Sequence, residues 1–154
     1  MNKIPVFVSF DVEHDRDLYE LLLEQSNTPT SSFAVSASSE QPTGTEVWSN
    51  RVRREVAGAS QVIVICGENT KGSTGVTAEL AAAQDAEKPY LLLWGRRDSM
   101  CTKPAGAKSI DGMYSWTQQR VQDQLALSIR KEGAAAKAKA LRDATRKSQP
   151  DWTR

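Results

Sequence analysis

The sequence predicts an α/β fold, a doubly wound, mostly parallel sheet of five strands with helices on both faces. Two observations carry that expectation. Short apolar runs of strand length alternate with amphipathic helical stripes from Ile4 to about Ile129. Within that alternation, QVIVICGENTKGSTGVTAELAAAQDAEKPYLLLW, from Gln61 to Trp94, reads without interruption as strand, polar glycine-bearing loop, helix and strand, which is a parallel βαβ unit. The chain has 154 residues, 39% hydrophobic and 25% charged, enough for one domain with its own core.

The elements follow in order. Ile4 to Phe10 is the first strand, and Asp15 to Gln25 is a helix with Leu18, Leu21 and Leu22 on one face and Asp15 as N-cap. Phe33, Val35 and Ala37 alternate as a short strand exposed on one side. A Pro/Gly-bearing loop from Ser38 to Thr45 precedes a second helix, whose stripe is Trp48, Val52 and Val56. Val62 to Cys66 is the third strand, and Gly67 to Gly75 is loop chemistry leading into a helix with Val76, Leu80 and Ala83 inward. Tyr90 to Trp94 is the fourth strand. Gly95 to Met113 is a long loop ending in a very short fifth strand, after which Ser115 and Gln118 predict a capping box for a helix with Val121, Leu125 and Ile129 inward. The boundary of the domain falls at about residue 131, followed by a basic, Ala-rich helical extension over 132–154.

In a parallel sheet ligands bind beyond the carboxyl ends of the strands, so the loop after Cys66 and the first turns of the following helix face any substrate. Glu79 stands close to that mouth. As a structural residue it is hard to place: the box position of a Ser73 or Thr74 cap is Val76 or Thr77, and the residues three and four positions away are Gly75, Val76, Ala82 and Ala83, none of them a cation. At about 100° per residue it lies roughly 40° from Ala83 and roughly 60° from Val76, which predicts a position on the edge of the packed face. A solvated surface glutamate is the plain alternative.

Composition excludes several classes. No apolar run approaches the ~18 residues that cross a bilayer, and Met1 to Pro5 leads straight into a strand, so a cytoplasmic protein is expected. Cys66 and Cys101 have no metal-ligand spacing and read as two free thiols; with His14 the lone histidine, neither a metal site nor a Cys/His nucleophile is expected. The first strand runs into DVEHDRD, acidic and glycine-free where a pyrophosphate-binding dinucleotide fold needs backbone amides. A phospho-accepting receiver domain needs an aspartate where Cys66 stands. The net charge of +1 is unevenly spread, with +5 between Arg130 and Lys147 and −4 over residues 1–129. A solvated helix is the plain reading of the basic stretch and a contact surface for a partner subunit or an anionic polymer the sharper one; nucleic acid is weakly supported, since no aromatic residue occurs there before Trp152.

Several stretches carry a resemblance. VFVSFDVEHDRDL resembles the opening box of TIR domains, and QPTGTEVWSNRVRREVAGASQVIVIC their second loop, helix and third strand. TGVTAELAAA is similar to the helix that bears their catalytic glutamate, and LLLWGRRDSMCTKPAGAKSIDGMYSWT to a signature of the bacterial and archaeal TIR-like branch that includes the NAD-processing subunit of the Thoeris antiphage system. The resemblance spans about Pro5 to Ile129 and implies a flavodoxin-like sheet. Gly75 and Val76 stand where the family usually has a tryptophan, a turn before the glutamate.

The resemblance also implies NAD as substrate rather than cofactor. Glu79 is then the catalytic residue, with Phe10, Asp11, Trp48 and Asn69 around the same mouth as substrate-binding residues. Cleaving the nicotinamide–ribose bond needs no strong general acid, because nicotinamide leaves as a neutral molecule, and one carboxylate suffices to steady the oxocarbenium-like ribose. Water then gives ADP-ribose, and an atom of the same molecule gives a cyclic isomer, a signal for a downstream effector. A phage-derived trigger and self-association are the further partners implied. Each of the four binding residues also has an ordinary reading: Phe10 and Trp48 as core, Asp11 as a loop cap, Asn69 as a turn residue. Two other classes stay open, a non-catalytic TIR adaptor and an enzyme acting on another N-glycoside, such as a nucleoside deoxyribosyltransferase.

Overall fold

In the computed structural model, residues 3–127 are described. The strands are β1 (Ile4–Ser9), β2 (Phe33–Ser38), β3 (Gln61–Cys66), β4 (Tyr90–Trp94) and β5 (Met113–Ser115). They form one sheet in the order β2-β1-β3-β4-β5, and every pairing is parallel. The helices are α1 (Arg16–Ser26), α2 (Glu46–Ala57), α3 (Thr74–Asp85) and α4 over 118–127. The boundary at 131/132, the basic extension and the inward position of Ile129 lie outside the described residues.

Strand alternation divides the core between the two faces. Phe7, Val62, Val64, Cys66 and Leu92 pack against Trp48, Val52 and Val56 of α2 and Val76, Ala82 and Ala83 of α3. Their neighbours Val6, Val8, Ile63, Ile65, Leu91 and Leu93 pack against Leu18 and Leu22 of α1 and Val121 and Leu125 of α4. A period of two in the strands and 3.6 in the helices is sufficient to produce this arrangement. β3 is buried along its whole length because it has a strand on each side and helices above and below, whereas β2, on the edge, is half-buried.

Of two expected caps, one holds and one moves. Asp15 is the N-cap residue of α1, although its side chain makes no capping bond and its Oδ1 accepts from Arg96 instead. Ser115 does not start the last helix. It is drawn into β5 opposite Trp94, and Thr117 Oγ1 accepts the Arg120 amide instead, while the Gln118 side chain reaches Gln25 O at the end of α1 and Thr28 Oγ1 in the turn after it. Pairing with β4 outweighs a local cap that Thr117 can supply two residues later, without the reciprocal half of a box because Arg120 stands at the box position.

At the end of β4 the chain has no room for a side chain. A Cβ on Gly95 would lie 2.8 Å from the Cys66 carbonyl oxygen and 2.8 Å from Leu18 Cδ1, while the Gly95 amide donates to that carbonyl at 2.8 Å. Gly95→Ala is therefore expected to destabilise the fold by about 1–3 kcal/mol through overpacking. A lower denaturation midpoint with unchanged denaturant slope would register it; an unchanged midpoint would count against this packing.

Candidate functional site

The strand order reverses direction between β1 and β3, and the loops leaving the carboxyl ends of β1, β2 and β3 diverge there. Between them lies a cavity of about 340 Å³, lined by Phe10 to His14 after β1, Ser39 to Pro42 after β2, and Asn69 and Gly72 to Gly75 before and at the start of α3. The cavity is where the sequence predicts a mouth.

Glu79 lies behind its wall, not on it. Its exposure is 0%, so the expected place on the edge of the packed face is corrected: α3 buries that edge as well, because Ser9 and Ser39 close over it. Ser9, in phase with Phe7, points from β1 toward α3, and its hydroxyl donates to Glu79 Oε1 at 2.7 Å. Ser39, directly after β2, donates to the same oxygen at 2.6 Å. The Ser39 oxygen in turn accepts the Phe10 amide at 2.9 Å, and the Ser39 amide donates to Val8 O, so backbone groups orient this hydroxyl. Glu79 Oε2 has no partner among the described residues. Burial pushes the Glu79 carboxyl up to about 7, against the two serine hydrogen bonds, which pull it down. One oxygen is therefore fixed and the other is unsatisfied, on a carboxyl that changes charge near neutral pH.

Ser9 and Ser39 were not among the residues read from the sequence. The signal for Ser9 is its register: a hydroxyl in phase with Phe7 in an apolar strand must find a polar partner. Ser39 sits in a loop, where no period marks it.

The four other candidates divide. Phe10, Asp11 and Asn69 line the cavity. Phe10 is buried, its ring stacked on Tyr19 with centroids 4.7 Å apart and with the Arg16 guanidinium 5.7 Å over it. The Asp11 carboxylate caps its own turn, accepting the amides of Glu13 and His14 and lying 3.2 Å from His14 Nδ1. Asn69 is exposed and leads into a single 3₁₀ turn, Thr70–Gly72, without a capping bond of its own. Trp48 is not brought to the cavity. Its ring belongs to the core under α2 and lines a separate groove with Val52, Ala78 and Ala82, because the α2 stripe that carries it faces α3 and the sheet.

Pro42 packs on the start of α3. A Cβ on Gly75 would lie 2.8 Å from Pro42 Cγ, so the ring rests on the first turn of α3, one turn before Glu79. Cys66 is buried and its thiol is raised by burial to about 12, which leaves it inert as a nucleophile; Cys101 is also buried, and both are free thiols. Among the described residues no group of three His, Cys, Asp or Glu side chains is placed to hold a metal, and no helix is long and apolar enough to cross a membrane.

A comparison with curated proteins finds no match. The family described as Thoeris protein ThsB, TIR-like domain, matches residues 7–99, which include the cavity, both serines and Glu79. With an all-parallel 2-1-3-4-5 sheet around it, that match covers well over half of the chain, and the chain belongs to the TIR-like family of the Thoeris antiphage system.

Proposed function

We propose that this protein cleaves the nicotinamide–ribose bond of NAD at Glu79 and releases an ADP-ribose-derived, cyclised signal. The observation that carries the reading is the half-satisfied carboxyl of Glu79, with Oε1 fixed by two serine hydroxyls and Oε2 unpartnered among the described residues, behind the cavity that Ser39 lines. Bond cleavage places positive charge on the ribose. A carboxylate already desolvated and already held in place stabilises that charge without reorganising at the moment of reaction. The positive charge of the nicotinamide ring favours the ionised carboxylate, so substrate binding itself draws Glu79 into its active state. Thr74 and Gly75 put the N-terminus of the 12-residue α3 on the cavity, an orientation that suits the pyrophosphate.

Because Glu79 is fully buried and Ser39, in the cavity wall, holds its Oε1, the 39–42 segment has to shift before ribose reaches the carboxyl. Low basal turnover that rises with protein concentration, as neighbouring copies or a trigger favour the open arrangement, follows from that obstruction. The test is purified protein with NAD over a hundredfold range of protein concentration, with products resolved by mass. Nicotinamide and a cyclic ADP-ribose isomer, formed more than linearly with protein, are expected; strictly linear formation by a monomer would remove the self-association part, and a different product the cyclisation part.

A non-catalytic assembly module is favoured by one observation, the complete burial of Glu79, which a purely structural carboxyl would share. Absence of NAD turnover at every concentration and trigger makes that reading the better one. Turnover of a nucleoside but not of NAD points instead to a deoxyribosyltransferase-like enzyme.

Ser39→Ala separates a functional from a structural Glu79. Removing one of two donors to the carboxylate raises the pKa of Glu79 further and leaves less of it ionised at neutral pH. Activity at pH 7 is expected to fall about tenfold and to recover in part at higher pH. A uniform loss across pH would not fit.

A further inference from the structure

The stretch after β4, from Gly95 to Thr102, touches no part of Glu79, yet it bonds to both outer walls of the cavity. Arg96 crosses to the loop after β1: its Nη2 donates to His14 O at 2.9 Å, to Asp15 Oδ1 at 3.1 Å and to Asp17 Oδ1 at 2.9 Å, and its Nη1 donates to Asp17 Oδ2 at 3.1 Å. His14 lines the cavity, and Asp15 is fully buried beside it in sequence. Thr102 crosses to the loop after β3: its amide donates to Gly67 O at 2.9 Å, and its hydroxyl oxygen accepts the Lys71 amide at 2.9 Å. Lys71 lies between the cavity-lining Asn69 and Gly72. The strap between the two anchors is itself fixed, since Arg96 O accepts both the Trp94 indole N–H at 2.8 Å and the Cys101 thiol at 3.6 Å.

We infer that Arg96 and Thr102 are positioning residues that hold the 11–15 and 67–72 walls of the cavity at a fixed separation, so that the Gly95–Thr102 strap sets the width of the Glu79 mouth. The planar guanidinium spans a backbone carbonyl and two carboxylates at once, which an ammonium does not, so lysine is a partial replacement for Arg96. Thr102 holds Gly67 through its amide, which every variant keeps, and Lys71 through its hydroxyl, which serine retains and valine lacks. Neither residue touches the ribose-stabilising carboxyl. As this rests on the NAD reading, loosening either anchor should weaken substrate binding and leave the chemical step intact.

The experiment uses the full chain with Arg96→Gln, Arg96→Lys, Thr102→Val and Thr102→Ser, and has two arms. Hydrogen exchange of the protein alone is expected to speed up at least tenfold at amides 12–15 in Arg96→Gln and at amides 69–72 in Thr102→Val. β3 and β4 amides should stay unchanged, with partial recovery in Arg96→Lys and near-complete recovery in Thr102→Ser. In NAD cleavage, KM is expected to rise at least fivefold for Arg96→Gln and Thr102→Val while kcat stays within about twofold. Exchange that is unchanged in the walls, or raised equally throughout the sheet, overturns the inference, and so does an unchanged KM in a protein that turns over NAD. If the parent does not cleave NAD the proposed function fails, while the exchange arm still decides whether the strap sets the walls.

Discussion

Glu79→Gln is expected to abolish NAD cleavage and, at alkaline pH, to make the protein more stable than the parent. The charge that Gln lacks is the group proposed to steady the ribosyl cation; its loss should cost on the order of 3 kcal/mol or more, a hundredfold or greater fall in kcat/KM. The stability effect has the opposite sign. Burial raises the folded-state pKa of Glu79 from 4.5 to about 7, so the unfolded chain ionises first as pH rises. The folded protein then loses stability between about 4.5 and 7, to a total of roughly 3 kcal/mol at one pKa unit per 1.36 kcal/mol. Glutamine escapes that penalty but leaves an amide group where Oε2 had no partner, which offsets about 1–2 kcal/mol. Between pH 5.5 and 8.5 the comparison should therefore move toward the Gln variant by about 2 kcal/mol, or roughly 4–8 °C in Tm. The sequence alone predicts a change of no more than about 1 kcal/mol, because it places Glu79 at the edge of the packed face. A variant that cleaves NAD within a few fold of the parent would remove Glu79 from the mechanism, and melts that run parallel at the two pH values would remove the buried charge.

The parent should show a steep acid limb in its activity. With the folded-state value near 7 and the carboxylate as the working form, kcat/KM is expected to be flat above about pH 8 and to fall tenfold per pH unit below 7. Near pH 5 only about a hundredth of Glu79 is ionised, so the loss there is about a hundredfold. In the complex the cationic nicotinamide ring favours the carboxylate, so the limb of kcat should lie at lower pH than that of kcat/KM. Asp11 and His14 line the same cavity, and Asp11→Asn and His14→Gln are the controls. Retention of the limb in both assigns it to Glu79. Its disappearance in either would transfer the titration to that turn, and a flat parent profile from pH 5 to 8 would contradict an ionised Glu79 as the working group.

The sequence by itself determined the layered fold. Val6/Val8 against Phe7/Ser9, and the stripes Trp48/Val52/Val56 and Val76/Leu80/Ala83, are local periodicities, and each names the face on which its residues are buried. It also put Glu79 near a mouth, because a parallel βαβ unit fixes which strand ends face a ligand. The chain's local pattern could not determine how groups far apart in sequence share hydrogen bonds. Ser9 and Ser39 stand 70 and 40 positions from Glu79 and meet only when β1 and β2 lie side by side beneath α3. That meeting gives a glutamate with no local partner two hydroxyl donors inside the packed sheet and helix layers, where burial, against those donors, raises its carboxyl to about 7. The same reason pairs the Asp15 side chain with Arg96, 81 residues away, and takes Ser115 from a helix start into β5. Local rules fix which way a side chain points, but which polar group it meets there is a property of the assembled sheet.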